Sequence, residues 1–130
     1  MNLVTLAQAK AHIRIDTDSD DEWLEIFIPV VSEAVALWLK DEWRLYEPER
    51  DTSGIPITNS AGDYIPAVDS NGDPIISNAV KGAVLVELSQ QYRFRDGSGA
   101  EAVPSHEGHG YTLGRGATAL LTGMRRSTVS

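Results

Sequence analysis

Between residues 24 and 38 the sequence LEIFIPVVSEAVALW repeats apolar side chains every three or four positions. Leu24, Phe27, Ile28, Val31, Ala34, Val35 and Trp38 fall on one side of a helix with 3.6 residues per turn. So long a stripe must be covered by another element, which constrains the fold more than any other feature. Pro29 lies inside it. Proline removes a backbone donor, so a kinked helix is expected, with the stripe in phase on both sides. The segment DTDSDDE (16–22) precedes it. Ser19 or Asp18 is the expected cap, and Asp20, Asp21 and Glu22 complement the positive end of the helix.

A second stripe can supply the cover. Val80, Ala83, Val84, Leu88 and Gln91–Tyr92 follow Ser77 as cap and run to about Arg95-Asp-Gly97. At the front, Thr5-Leu-Ala-Gln8 reads as a capping box opening a short helix to about Arg14, with Leu6, Ala9 and Ile13 on one face. Residues 97–116 are rich in glycine and hold no convincing element. A last short helix, about 117–126, carries Ala117, Leu120, Leu121 and Met124 on one face. Gly123 within it costs up to about 1 kcal/mol relative to alanine.

Between the long helices the period changes. IPITNSAGDY (55–64) is followed by its near-repeat IPAVDSNGDP (65–74). Asn-Ser-x-Gly and Asp-Ser-x-Gly are turn sequences, in which Asn or Asp bonds the backbone two residues on and Gly takes positive φ. The flanking prolines belong at edge positions. A two-turn β-meander over about 53–76 is therefore expected. The fold class is mainly α: a small bundle of about four helices with a short β-meander or hairpin insertion between the two long ones. One domain over 1–130 is expected, with a helical core at about 4–45 and 77–96 and an extended segment plus short helix at 97–130.

Asp69-Ser-Asn71-Gly-Asp73 also resembles the start of a calcium loop. Such a loop wants Gly at its sixth position and Glu at its twelfth, and counting from Asp69 these are Pro74 and Val80. The turn reading is preferred. His106-Glu-Gly-His109 is the one histidine cluster, and Pro104 and Gly108 leave its geometry unfixed, so a polar loop is the default. No G-x-S-x-G turn is present, and GYTLGRG (110–116) lacks the ending of a phosphate-binding loop. An enzyme is not expected, nor is any metal or cofactor. With no cysteine, thiol nucleophiles, zinc fingers and disulfides are excluded. No apolar run approaches the roughly 20 residues of a membrane span, and MNLVTLAQAKAH lacks the pattern of a signal peptide. A soluble, intracellular product is the expectation.

The net charge of −8 argues against a protein that wraps DNA. Its distribution is uneven. Residues 1–51 hold 12 acids and 5 bases, residues 52–76 three acids and no base, and residues 77–130 four acids and 6 bases. The front is acidic and the tail mildly basic, which suits a part meeting different surfaces at its two ends. Trp38 continues the core stripe, while Trp23 and Trp43 flank it and could face a partner or pack the helix ends.

The two ends of the chain resemble one family. Ala9-Lys10-Ala11-His12-Ile13-Arg14-Ile15-Asp16, then an acidic turn and a long helix, is similar to the opening of the head–tail connectors, or head-completion adaptors, of tailed bacteriophages. Val84–Arg95 resembles that family's helix ending in Tyr and Arg, and Ala119–Arg126 its closing segment, with Gly123-Met124 where the family usually has Pro-Tyr. The likeness covers about the first 40 and last 50 residues and omits the insertion.

The resemblance implies a structural virion protein at the neck, made in the host cytoplasm. It would form a homo-oligomeric ring, usually of twelve, between the portal and a downstream neck or tail-completion protein. Double-stranded DNA would pass without specific binding. Asp18, Asp20, Asp21 and Glu22 are the candidate channel-facing acids, since a wall that repels phosphate lets DNA through. Arg115, Leu120, Leu121, Arg125 and Arg126 are candidates for docking on the portal, and Trp23, Trp43, Ile57, Tyr64, Ile65 and Val68 for contacts with neighbouring subunits or the downstream partner. The alternative is a small surface- or glycan-binding module using the 55–76 meander, where Tyr64 is the lone aromatic.

Overall fold

The computed structural model describes residues 2–93 and 113–124. Four helices are present among them: α1 (Leu6–Ile13), α2 (Asp21–Leu39), α3 (Asn78–Arg93) and α4 (Arg115–Leu121). A 3-10 turn at Glu42–Leu45 follows α2, and another at Thr122–Met124 extends α4. α4 begins two residues before the expected helix and ends at Leu121, and Gly123 lies in the 3-10 turn that follows. The expected end of α3 near Gly97, the glycine-rich stretch up to residue 112 and residues 125–130 lie outside the described residues.

The α2–α3 pair forms as the two stripes require. Leu24, Ile28, Val31, Val35 and Leu39 of α2 and Val80, Ala83, Val84 and Leu88 of α3 are buried together. At about 1.5–3 kcal/mol per large apolar side chain, this shared core is the main stabilising term. Phe27, Ala34 and Trp38 border it half-buried. The helix continues through Pro29. The expected cap of α2 is replaced: Asp20 occupies the N-cap with no side-chain bond to the helix. It accepts instead from the Tyr92 hydroxyl at 2.6 Å, tying the start of α2 to the end of α3. The Thr5–Gln8 capping box of α1 has both reciprocal bonds, at 2.9 and 3.0 Å. A buried bond from the Leu3 amide to Ser32 Oγ, 3.0 Å, fixes the N-terminal segment on α2.

The β-meander expected at 53–76 is not formed as a sheet. The segment has no strand, and residues 46–76 are joined by five isolated antiparallel bridges. The backbone instead closes two rings of hydrogen bonds. In one, Glu47 N–H donates to Ile75, Ile75 to Ala67 and Ala67 back to Glu47, at 2.8–2.9 Å. In the other, Glu49 donates to Ile65, Ile65 to Ile57 and Ile57 to Glu49, at 2.7–3.0 Å. All donors are odd-numbered, while Pro48, Pro56, Pro66 and Pro74 fall on even positions, where no such donor is needed. Proline at alternate positions therefore permits these triangles but forbids a continuous ladder.

Three turns, not two, project from the triangles. Asp51, Asn59 and Asp69 each accept through one side-chain Oδ1 from the amides two and four residues ahead, at 2.8–3.1 Å. Gly54, Gly62 and Gly72 close them at φ of 81°, 86° and 83°. The first turn, Asp51-Thr-Ser-Gly54, carries the same pattern as the two visible in the decapeptide repeat. The result is a cap with pseudo-threefold hydrogen bonding, held at its base where the Ser77 amide donates to the Leu45 carbonyl at 2.9 Å.

Candidate functional site

The acidic turn ahead of α2 is partly neutralised. Lys10 Nζ, from α1, lies 3.0 Å from Asp18 and 2.9 Å from Asp21. Hydrogen bonding to Asp21, then to Asp18, raises the Lys10 pKa above its ordinary value. With Asp20 engaged by Tyr92, Glu22 is the one member of this quartet exposed without a charged or hydrogen-bonding partner among the described residues.

The tryptophans flanking the core stripe have distinct settings. Trp23 is stacked on Phe27 with centroids 4.5 Å apart and meets Tyr92 edge-on at 5.6 Å. Helix-end packing accounts for its position. Trp43 meets Tyr64 of the cap edge-on at 5.2 Å, with the Arg44 guanidinium 4.4 Å over its ring. Arg44 also pairs with Asp41 at 3.0 Å and donates to the Met124 carbonyl. Trp43, Arg44, Tyr46, Pro48, Tyr64 and Met124 border a cleft of about 460 Å³ where the cap and the two 3-10 turns meet. Burial and the nearby Glu42 charge raise the Tyr46 pKa. Of the remaining cap candidates, Ile57 and Ile65 are half-buried, and Tyr64 and Val68 are exposed.

The C-terminal candidates divide. Leu121 is fully buried with Ala117 and anchors α4 to the core, whereas Arg115 and Leu120 are on the surface. Arg125 and Arg126 lie outside the described residues. The position of α4 is set by α3: Glu87, itself buried, accepts from the Gly114 amide at 2.8 Å and from Gln91 Nε2 at 2.9 Å. A Cβ on Gly116 would come within 2.8 Å of Val86 Cγ1, so glycine is what lets α4 approach α3 this closely. His106 and His109 also lie outside the described residues.

One surface was not singled out by the sequence reading. Ile26, Val30 and Leu37 are 56%, 38% and 71% exposed on α2, opposite its buried stripe. Their signal was a helix apolar on more than its core-facing side. Glu22 and Glu33 share this outer face, Glu25 flanks it, and none of the three has a charged partner among the described residues.

No helix of the described residues is long and apolar enough to cross a membrane, and no group of three or more potential metal-ligating side chains occurs among them. The chain matches the family of phage gp6-like head–tail connector proteins over residues 3–104, a span that includes the cap. No curated protein and no solved structure gives a significant match.

Proposed function

The chain belongs to the phage gp6-like head–tail connector family, and from that premise we propose that it closes into a ring between the capsid portal and the tail, extending the DNA channel. The family is one of structural virion proteins rather than enzymes, and its members act between portal and tail. The match over residues 3–104 is the observation that carries this reading.

Physical features of the chain are consistent with each part. A small fixed bundle with distinct surfaces suits head-to-tail association, which closes when the rotation between copies does. An acidic rim disfavours lasting contact with DNA phosphates. In the proposed ring the 16–22 turn faces the channel, with Lys10 offsetting one of the two charges of Asp18 and Asp21. The basic segment after Met124, with Arg125 and Arg126, meets the portal. The cap, carrying Tyr64 and Val68 at its surface, faces the downstream neck protein.

The test is assembly with purified portal, followed by sedimentation and electron microscopy. The reading expects a ring of several copies on the tail-side face of the portal. Portal that sediments free of the chain at micromolar concentrations of both would overturn it.

A further inference from the structure

The outer face of α2 is built to be covered. At 3.6 residues per turn, Ile26, Val30, Glu33 and Leu37 fall within a narrow arc and run ~16 Å along the helix. Three large apolar residues in one line at 38–71% exposure form a patch of the kind that marks a protein contact. The patch is acidic. Glu22 and Glu33 lie in it and Glu25 beside it, with Lys40 beyond its end. Self-pairing of two such faces would bring glutamates together from both copies, so a partner of opposite charge fits better.

That opposite surface exists on the same chain. Arg115, Ala119 and Leu120 are exposed on α4, Leu120 at 45%. Arg115 has no acidic partner among the described residues. Leu120 also borders Gly82 of α3, where a Cβ would stand 3.6 Å from Leu120 Cδ1, and Gly116 is exposed on the same short helix. The surface is thus apolar, small-residued and basic where the α2 face is apolar, large-residued and acidic. Both helices pack on α3, and neither packs substantially on the other, so the two faces are separate surfaces of the subunit.

We propose that the outer face of α2 in one copy docks on the α4 face of the next, with Ile26, Val30 and Leu37 against Leu120 and Glu33 facing Arg115. The contact is heterologous, the form that builds rings, and the proposal rests on the connector reading above. It assigns Arg115 and Leu120 to the neighbouring copy and leaves portal docking to Arg125 and Arg126.

The absence of native cysteine makes the contact directly testable. Val30→Cys and Leu120→Cys are introduced together and singly, and portal-bound rings are treated with a short bis-maleimide. The double variant gives a ladder of covalent multimers, each single variant stays monomeric, and a mixture of the two singles gives dimers. Dimers from Val30→Cys alone would show α2 pairing with itself and overturn the proposal. Rings visible on the portal with no cross-link in any variant would also overturn it while leaving the connector reading intact. Failure to form rings at all would remove that reading and this contact with it. As a second readout, Glu33→Arg or Arg115→Glu alone lowers ring yield about tenfold, and the double reversal restores it. Circular dichroism unchanged from the parent confirms that these exposed substitutions leave the fold intact, and a double reversal no better than the singles counts against the pairing.

Discussion

The helical core and the cap between its two long helices solve the same problem by different means. In α2 and α3, side chains do the specifying: Leu24, Val31, Val35, Val80, Val84 and Leu88 are at 0% exposure, and the backbone bonds are satisfied locally within each helix. In the cap the backbone does it. Two closed triangles of amide bonds and three Asx turns hold residues 46–76, while Ile55 and Val68 remain 61% and 56% exposed. Burial tolerates no cavity but is indifferent to backbone detail, whereas a turn-built element is sensitive to φ and to the positions of donors. Substitutions should therefore act globally in one region and locally in the other.

The largest contrast is between Leu88→Ala and Ile55→Ala. Truncating Leu88 leaves a cavity in the α2–α3 core and should cost about 2–5 kcal/mol of unfolding free energy. Truncating the exposed Ile55 should stay within about 0.5 kcal/mol. Denaturant unfolding of both variants checks the pair, and equal effects would break the division. Ser32→Ala comes next. It strips the acceptor from the buried Leu3 amide and should cost about 1–3 kcal/mol. Gly72→Ala places a Cβ at φ 83° with open space around it, so only the backbone penalty of about 1–2 kcal/mol applies. Its effect should appear as faster amide exchange at Asp69 and Asp73, with little change in α3. Replacing residues 47–75 by a short glycine linker should leave the helical circular dichroism per helical residue unchanged, because the Leu45 carbonyl and Ser77 amide already meet at 2.9 Å. Loss of helix would show instead that the cap is part of the core.

The smallest expected effect is at high pH. Tyr46, at the hinge of the two regions, has its pKa raised by burial and by Glu42. The unfolded chain then loses this proton first, so the contribution is fully present below about pH 10 and is lost as pH rises through the folded pKa. A melting temperature that falls above pH 10 less steeply in Tyr46→Phe than in the parent is the predicted signature.

Legibility in the sequence followed the same division. The stripes at 24–38 and 80–92 and the Thr5 capping box were readable because their partners are three or four residues away. The cap of α2 was not, because Asp20 is used by Tyr92, 72 residues on. Two of the three turns stood out through the Ile-Pro repeat. The first, Asp51-Thr-Ser-Gly54, was written in the same chemistry but lacked that frame. The triangles link Glu47 to Ala67 and Ile75, and Glu49 to Ile57 and Ile65, separations that no local pattern encodes. Of the candidate site, the acidic turn and the basic tail were legible as charge. Its partial neutralisation by Lys10 and the burial of Leu121 were not, since both depend on how helices meet. The outer α2 face was hidden for the opposite reason: Ile26, Val30 and Leu37 merge in sequence with the core stripe they stand behind.

The most direct test of the central claim is the mass of the complex formed when the purified chain is mixed with portal and separated by sedimentation. The proposed role predicts that several copies of the 14.1 kDa chain join each portal as one closed ring, with no free ring required beforehand. A portal peak of unchanged mass beside a slow peak of unassociated chain would contradict it.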